Sequence, residues 1–178
     1  MNKFIYILPI LILGWLGFLH LSKPVEKERD TQIISMKMPD FSLQEISVAY
    51  GKTGAMITSD DLPHKVMMIN LFASWCPTCI KEHKHLVTLA KEHNLTIYGI
   101  AYNDTEKGLV KFFKHRQNPY KKILIPPTIY NFNEWDIRGT PESFLVDANG
   151  VIRYRHRGAI TDQHIDEIIL PIIKKISQ

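Results

Sequence analysis

Cysteine is scarce in this chain, with two among 178 residues. That excludes a small domain stapled by several disulfides. No internal repeat and no low-complexity segment is present, so repeat architectures are excluded too. Charge is not concentrated. The formal net charge is +4 and the pI about 9.0, with lysine and arginine scattered. The densest basic cluster, Lys111, Lys114, Arg116, Lys121 and Lys122, carries no nucleic-acid recognition motif and reads as solvated surface. Metal-ligand spacing is lacking as well. Cys79 and His83 stand at i, i+4, but His83 and His85 do not face together on a helix. Haem attachment at the cysteine pair is excluded because Ile80, not histidine, follows Cys79. No metal and no cofactor are expected. With 45% hydrophobic residues the chain can build one core of ordinary size, and two independent domains would be crowded.

The long hydrophobic run lies at the N-terminus. Phe4 to Leu19 is uncharged and apolar, and His20-Leu21 extends it. As a helix it spans roughly 27 Å, close to a hydrocarbon core of about 30 Å. A cleaved signal peptide is one reading. The run is long for that and no small-x-small site follows, so an uncleaved anchor is preferred. Lys3 precedes the span while Lys23, Lys27 and Arg29 follow it, so charge does not orient it. The short leading tail favours a body outside the cytoplasm. The expected organisation is an anchor over 1–22, a polar tether over 23–37 and one folded domain over 38–178.

Both cysteines fall in Trp75-Cys76-Pro77-Thr78-Cys79. At i and i+3 of a helix start, their Cα atoms are about 5 Å apart, close enough for a disulfide. Val66 to Ala73 leads in as an apolar run of the length of a strand buried on both faces. Pro77 suits the first turn of a helix. Ile80, Leu86, Val87 and Ala90 predict that helix's buried face. Upstream, Phe41 and Leu43 alternate as in a short edge strand, Gly51 to Gly54 reads as a turn, and Ser59 to Pro63 as a connection. Downstream, Leu95 to Tyr102 reads as a strand. Asn103-Asp104-Thr105 offers caps to a helix bearing Leu109, Val110, Phe112 and Phe113. Lys122 to Ile125 is a short strand and Pro126 to Gly139 is irregular; within it, Phe132 and Trp135 suit either a groove or local packing. Glu142–Val146 and Val151–His156 flank Asn149-Gly150, a hairpin signal. Ile165, Ile168, Ile169, Ile172, Ile173 and Ile176 form a last helical face, with a kink expected at Pro171. The order βαβ then ββα predicts a mixed sheet with helices on both faces. At a helix N-terminus Cys76 is favoured as a thiolate and is the expected nucleophile; Cys79, one turn in and more buried, would resolve the mixed disulfide.

The C-x-x-C at a strand-to-helix junction, with Trp75 before it and Thr140-Pro141 before the hairpin, resembles the thioredoxin fold. Asn70 to Cys79 followed by Lys81-Glu82-His83, together with Gly139-Thr140-Pro141-Glu142-Ser143-Phe144, looks like the membrane-tethered DsbE/CcmG thioredoxins of cytochrome c maturation. Two features depart from that pattern: the turn sequence expected within Pro126 to Trp135 is missing, and Arg138 replaces an aromatic or small residue. The resemblance implies a periplasmic thiol-disulfide oxidoreductase at the bacterial inner membrane, acting as a monomeric reductant. Its clients would be apocytochrome c or a CcmH-like protein, and its electron donor a DsbD- or CcdA-like membrane protein. It implies catalytic roles for Cys76, Cys79, Glu82 and Glu142, the two acids replacing the buried aspartate that thioredoxins carry where Asn70 stands here. Trp75, Pro77, Thr140 and Pro141 would contact substrate, with Thr140-Pro141 in cis. Two alternatives remain open: a ResA/TlpA-like reductase for another exported client, and a thioredoxin-fold metal chaperone without turnover.

Overall fold

Val66 to Ala73 becomes the centre of the molecule because no residue in it needs water. In the computed structural model, which describes residues 31–49, 52–127 and 130–177, strand β4 (Met67–Phe72) is buried at every position. It pairs with β5 (Thr96–Ala101) in parallel and with β7 (Glu142–Val146) antiparallel. The remaining strands are β1 (Thr31–Lys37), β2 (Ser42–Ser47), β3 (Lys52–Thr58), β6 (Lys122–Ile125) and β8 (Val151–Arg157). They complete one eight-stranded mixed sheet of order β1-β8-β7-β4-β5-β6-β2-β3. Helix α1 (Pro77–Lys91) joins β4 to β5, and α2 (Glu106–Phe113) joins β5 to β6. The C-terminal helix, α3, opens at Asp162–His164, widens to a π-helical turn over Ile165–Ile169 and closes as Leu170–Ile176.

Alternation along the strands divides the core. Met68, Phe72, Ile97 and Leu145 face the three helices of the described residues, through Leu86 and Leu89 of α1, Leu109 and Phe112 of α2, and Ile165 and Ile169 of α3. Met67, Ile69, Leu71, Ile100 and Phe144 face the other way, onto Phe41, Leu62 and Trp135. The expectation of helices on both faces is therefore corrected. Two successive parallel steps, β4 to β5 to β6, run in one direction across the sheet, and right-handed crossovers then place α1 and α2 on the same side. The opposite face is covered by extended connections and two 3₁₀ turns, Ser59–Asp61 and Asn133–Trp135. Trp135 belongs to that packing: it is 1% exposed, and its ring lies on Phe41 and Phe144.

Other boundaries move too. Thr31–Lys37, expected within the tether, is a strand on β8, because Ile34 and Met36 alternate onto the second core cluster while the backbone completes the ladder. β2 is not an edge; β3, which begins inside the expected turn region, pairs outside it. The hairpin turn is a four-residue one. Asp147 accepts from the Asn149 and Val151 amides, and Gly150 takes the left-handed φ of +74° that closes it. Pro171 cannot donate, and the preceding turn widens instead of breaking the helix, the Leu170 amide reaching back to the Ile165 carbonyl. The anchor segment Phe4 to Leu21 and the tether up to residue 30 lie outside the described residues, among which no helix is long and apolar enough to cross a membrane.

Candidate functional site

Beyond β4 the chain turns sharply, and a neighbouring loop holds that turn. The Asp104 carboxylate accepts from the Ser74 amide and hydroxyl. Trp75 Nε1 donates to the Asn103 carbonyl at 2.9 Å. The turn delivers Cys76 as the N-cap of α1, in extended conformation, with Pro77 at the first helical position. Sγ of Cys76 accepts the Cys79 amide at 3.2 Å, so the sulfur occupies the place of a capping oxygen among the unpaired N–H groups.

Both thiols are free. Cys79 is the more buried of the two, as expected, but only just: it is 3% and Cys76 4% exposed. Cys76 is covered because the loop before β7 crosses it: its Sγ donates to the Thr140 carbonyl at 3.6 Å. The Thr140–Pro141 peptide is cis. Trp75, 59% exposed, and Ile80, 41% exposed, stand out of the surface beside this contact. The structure thus brings Trp75, Cys76, Pro77, Cys79, Thr140 and Pro141 into one patch. Burial pushes the Cys79 thiol up, the hydrogen bond and charge of Cys76 add to it, and the nearby Glu82 carboxylate opposes its ionisation further.

Glu82 is wholly buried and reaches this cluster from α1. Its Oε1 accepts from Asn70 Nδ2 and its Oε2 from the Ile160 amide, each at 3.1 Å. Burial pushes its carboxyl up to about 7, and the two N–H donors pull the other way without cancelling it. Asn70 also donates to Ser143 Oγ at 3.0 Å and accepts from the Tyr120 hydroxyl at 2.7 Å. The carboxylate absent from position 70 is therefore supplied to the same place by the helix, and held there by the asparagine.

Glu142 is brought to a different neighbourhood. It is 2% exposed. One oxygen accepts from the Arg138 and Gly139 amides at 2.7 and 3.2 Å. The other accepts from Nε and Nη2 of Arg155 at 3.1 and 2.9 Å. Its contacts make it a brace for the loop that carries Thr140 and Pro141, and its oxygens turn to Arg155 rather than to the thiols. The family resemblance implies a role for it beside Glu82 as a local acid. The sequence does not point to Tyr120, Ser143 or Arg155; the only signals for them are a polar Asn70 inside an otherwise apolar strand and an arginine between Tyr154 and His156 in β8. His83 and His85 are taken up by the Gln117 carbonyl and by Asp162. Among the described residues no group of three or more His, Cys, Asp or Glu side chains could hold a metal ion.

Comparison with known proteins agrees with this geometry. Residues 34–169 match the family model described as Redoxin. The thiol:disulfide interchange protein DsbE of Vibrio cholerae is 30% identical over 183 residues, covering 99% of this chain and 97% of that one. DsbE of Allochromatium vinosum is 32% identical over 143 residues, covering 80% and 77%. Among solved structures, a thiol:disulfide interchange protein of the thioredoxin family from Chlorobium tepidum superposes with a TM-score of 0.62 at 26% identity, covering 83% of this chain and 99% of that one. A secreted thiol-disulfide isomerase from Corynebacterium glutamicum, at 15% identity, gives a TM-score of 0.68 over 84% and 95% and so shares the fold. A C-x-x-C pair capping a helix opposite a cis-proline loop, on a sheet shared with these relatives, leaves one conclusion: the chain belongs to the DsbE family of thioredoxin-fold thiol:disulfide interchange proteins and is a thiol-disulfide oxidoreductase.

Proposed function

We propose that the protein is a reductant acting outside the cytoplasm in cytochrome c maturation, tethered to the bacterial inner membrane by its N-terminal segment. Cys76 attacks a disulfide of apocytochrome c, or of a CcmH-like partner, forming a mixed disulfide and releasing the first client thiolate. Cys79 gives its proton to Glu82 and attacks the Cys76 sulfur. The Cys76–Cys79 disulfide forms, the second client thiolate leaves and takes up a proton, and the client has gained two electrons. A membrane dithiol donor of the DsbD or CcdA kind returns the protein to its reduced state. The client strand lies against Thr140, whose backbone offers extended pairing, with Trp75 and Pro77 flanking the exchanging sulfur.

The observation that carries the reducing direction is the pair Cys79 and Glu82. A strong oxidant owes its potential to a stabilised reduced form. Here burial and a neighbouring carboxylate keep Cys79 a thiol, so any such stabilisation would have to come from Cys76 alone. The test is the redox potential against glutathione. A value more negative than roughly −200 mV is expected, and one near about −120 mV overturns the reading. Cys79→Ala then traps the client as a mixed disulfide on Cys76. An apocytochrome or a haem-ligation partner in the trap supports the client assignment; its absence, with c-type cytochromes unchanged in a deletion strain, rejects it.

A further inference from the structure

The carboxylate behind the thiols is held by an amide, and that amide has two possible faces. Asn70 carries one acceptor and two donors. Its orientation is fixed only by its neighbours. On one side stand Glu82 Oε1 at 3.1 Å and Ser143 Oγ at 3.0 Å; on the other stands the Tyr120 hydroxyl at 2.7 Å. We propose that Tyr120, acting through Asn70, is a positioning residue for proton transfer from Cys79: its hydroxyl holds the amide with N–H toward Glu82 and so sets the pH at which Glu82 accepts the proton. This rests on the reading of Glu82 as that acceptor.

An ionised Glu82 only accepts hydrogen bonds, so it needs the amide N–H. Tyr120 donates to Asn70 Oδ1 and satisfies the one Asn70 atom that would otherwise prefer to face a proton on Glu82. Without the hydroxyl, Oδ1 is a buried acceptor with no donor in that direction, which is costly. Turning the amide cures this only if Glu82 keeps its proton. Loss of the hydroxyl therefore favours protonated Glu82. The phenol ring does not depend on its hydroxyl for its place. It stacks on Phe72 at 4.7 Å, meets Phe113 edge-on at 6.0 Å, and its backbone amide donates to Asn118 Oδ1. The titratable groups facing Glu82 are Cys79 on its own helix and Tyr120 from the segment before β6. The sheet presents Asn70 and Ser143, and the turn before α3 presents the Ile160 amide, none of which titrates. Beside Ser143 on β8 lies the buried His156, whose imidazole is kept neutral by burial, which pushes its proton affinity down.

The test uses the reduced protein mixed rapidly with dithiobis(nitrobenzoate), which releases one coloured thiolate when Cys76 attacks and a second when Cys79 closes the disulfide. The second phase is followed against pH for the wild type, Tyr120→Phe, Asn70→Ala and Glu82→Gln. In the wild type it rises through an inflection near pH 7, where Glu82 ionises. Tyr120→Phe is expected to move that inflection upward by about one pH unit, the worth of one hydrogen bond to the carboxylate system. The rate then falls several-fold at neutral pH and recovers in alkali. Asn70→Ala is expected to move it at least as far. Should that variant fail to fold, Tyr120→Phe decides alone, its ring keeping the same packing. A merely structural role would lower the rate equally at every pH. Loss of the inflection in Glu82→Gln with an unmoved one in Tyr120→Phe overturns this proposal and leaves Glu82 as the acceptor. An inflection that survives Glu82→Gln overturns both.

Discussion

Two carboxylates lie equally deep in this protein and in opposite electrostatic company. Glu82, behind the thiols, is met by an asparagine amide and one backbone N–H, all neutral donors. Glu142, under the Thr140–Pro141 ledge, is met by a guanidinium that is itself 4% exposed. A buried carboxylate without a cation has its proton affinity raised, and Glu82 is brought close to neutral pH. A buried carboxylate chelated by arginine is a fixed structural joint. The comparison separates two tasks that the sequence makes look alike. One acid lies among neutral donors behind the sulfurs, where the proposed proton transfer needs it; the other braces the loop that covers them.

The strongest way to break the comparison is to remove the cation. Arg155 spends its donors on Glu142, on the Trp135 carbonyl at 2.9 Å, and on the carbonyl and carboxylate of Asp136. Arg155→Ala takes from buried Glu142 its bidentate partner and leaves Arg157 Nε, 3.5 Å away, as the remaining cation. The expected loss is about 3 kcal/mol, the lower end for a broken buried pair. Urea unfolding at neutral pH measures it. Glu142→Gln in the same background is expected to restore a large part. If the single variant unfolds within 1 kcal/mol of wild type, an order-of-magnitude limit well below that of a broken buried pair, the joint is not structural.

The next effect belongs to the other acid and depends on pH. Glu82 has a folded-state carboxyl raised from 4.5 to about 7. The contribution of such a group is fully favourable below the unfolded value and is lost as pH rises through the folded one. Glu82→Gln removes that loss. Relative to wild type, its stability is expected to climb by about 3 kcal/mol between roughly pH 4 and 8 and then level off. A flat difference across that range would mean that Glu82 does not titrate inside the fold.

These two acids also show where the sequence was legible. The cysteine pair and the βαβ and ββα order are local or strongly patterned and legible, whereas the cis-proline ledge is legible only through the family resemblance. The buried face of α1 is not legible. Ile80 was placed inward, but it is 41% exposed, while Cys79, Glu82, His83 and His85 turn in with Leu86 and Leu89. Hydrophobic periodicity fails there because the site needs polar groups at core positions, each satisfied by a partner distant in sequence. Asn70 meets Glu82 12 positions away and Ser143 73 positions away. Arg155 meets Glu142 across the β7–β8 hairpin, next to the register pair Glu142 and Arg157. No local pattern announces such pairings. The single face shared by the three helices of the described residues was hidden for the same reason, since crossover direction depends on strand order.

A smaller effect sharpens the Glu82 side. Gly99 pairs with Asn70 in the sheet, and a Cβ there would stand 3.0 Å from the Tyr120 ring and 2.9 Å from Phe72. Gly99→Ala must push the ring off Asn70 or strain the strand, and overpacking of this kind costs about 1–3 kcal/mol. Thermal unfolding reads the cost. The difference should be matched by altered near-ultraviolet dichroism of the tyrosine, and unchanged dichroism would show that the sheet, not the ring, gives way.

The smallest expected effect falls on Asp136, which shares Arg155 with Glu142 but from the surface. Its side chain is 65% exposed and lies 3.1 Å from Nη1 of Arg155 and 2.9 Å from Nη2 of Arg157. Desolvation pushes its carboxyl up, and the arginines together outweigh it and hold the carboxyl below the usual range. Water and ions already solvate an exposed carboxylate, and measured exposed pairs contribute little. Asp136 also sits at a left-handed φ of +46°, which asparagine tolerates as well as aspartate. Asp136→Asn keeps an oxygen for Arg155 and keeps the backbone. It is expected to leave the urea midpoint unchanged at pH 7, both in low salt and in high salt. A large loss confined to low salt would mean that the surface charge, rather than Glu142, holds Arg155 in place. The division between a structural acid beneath the ledge and a titrating acid behind the thiols would then have to be redrawn around an ion-pair network.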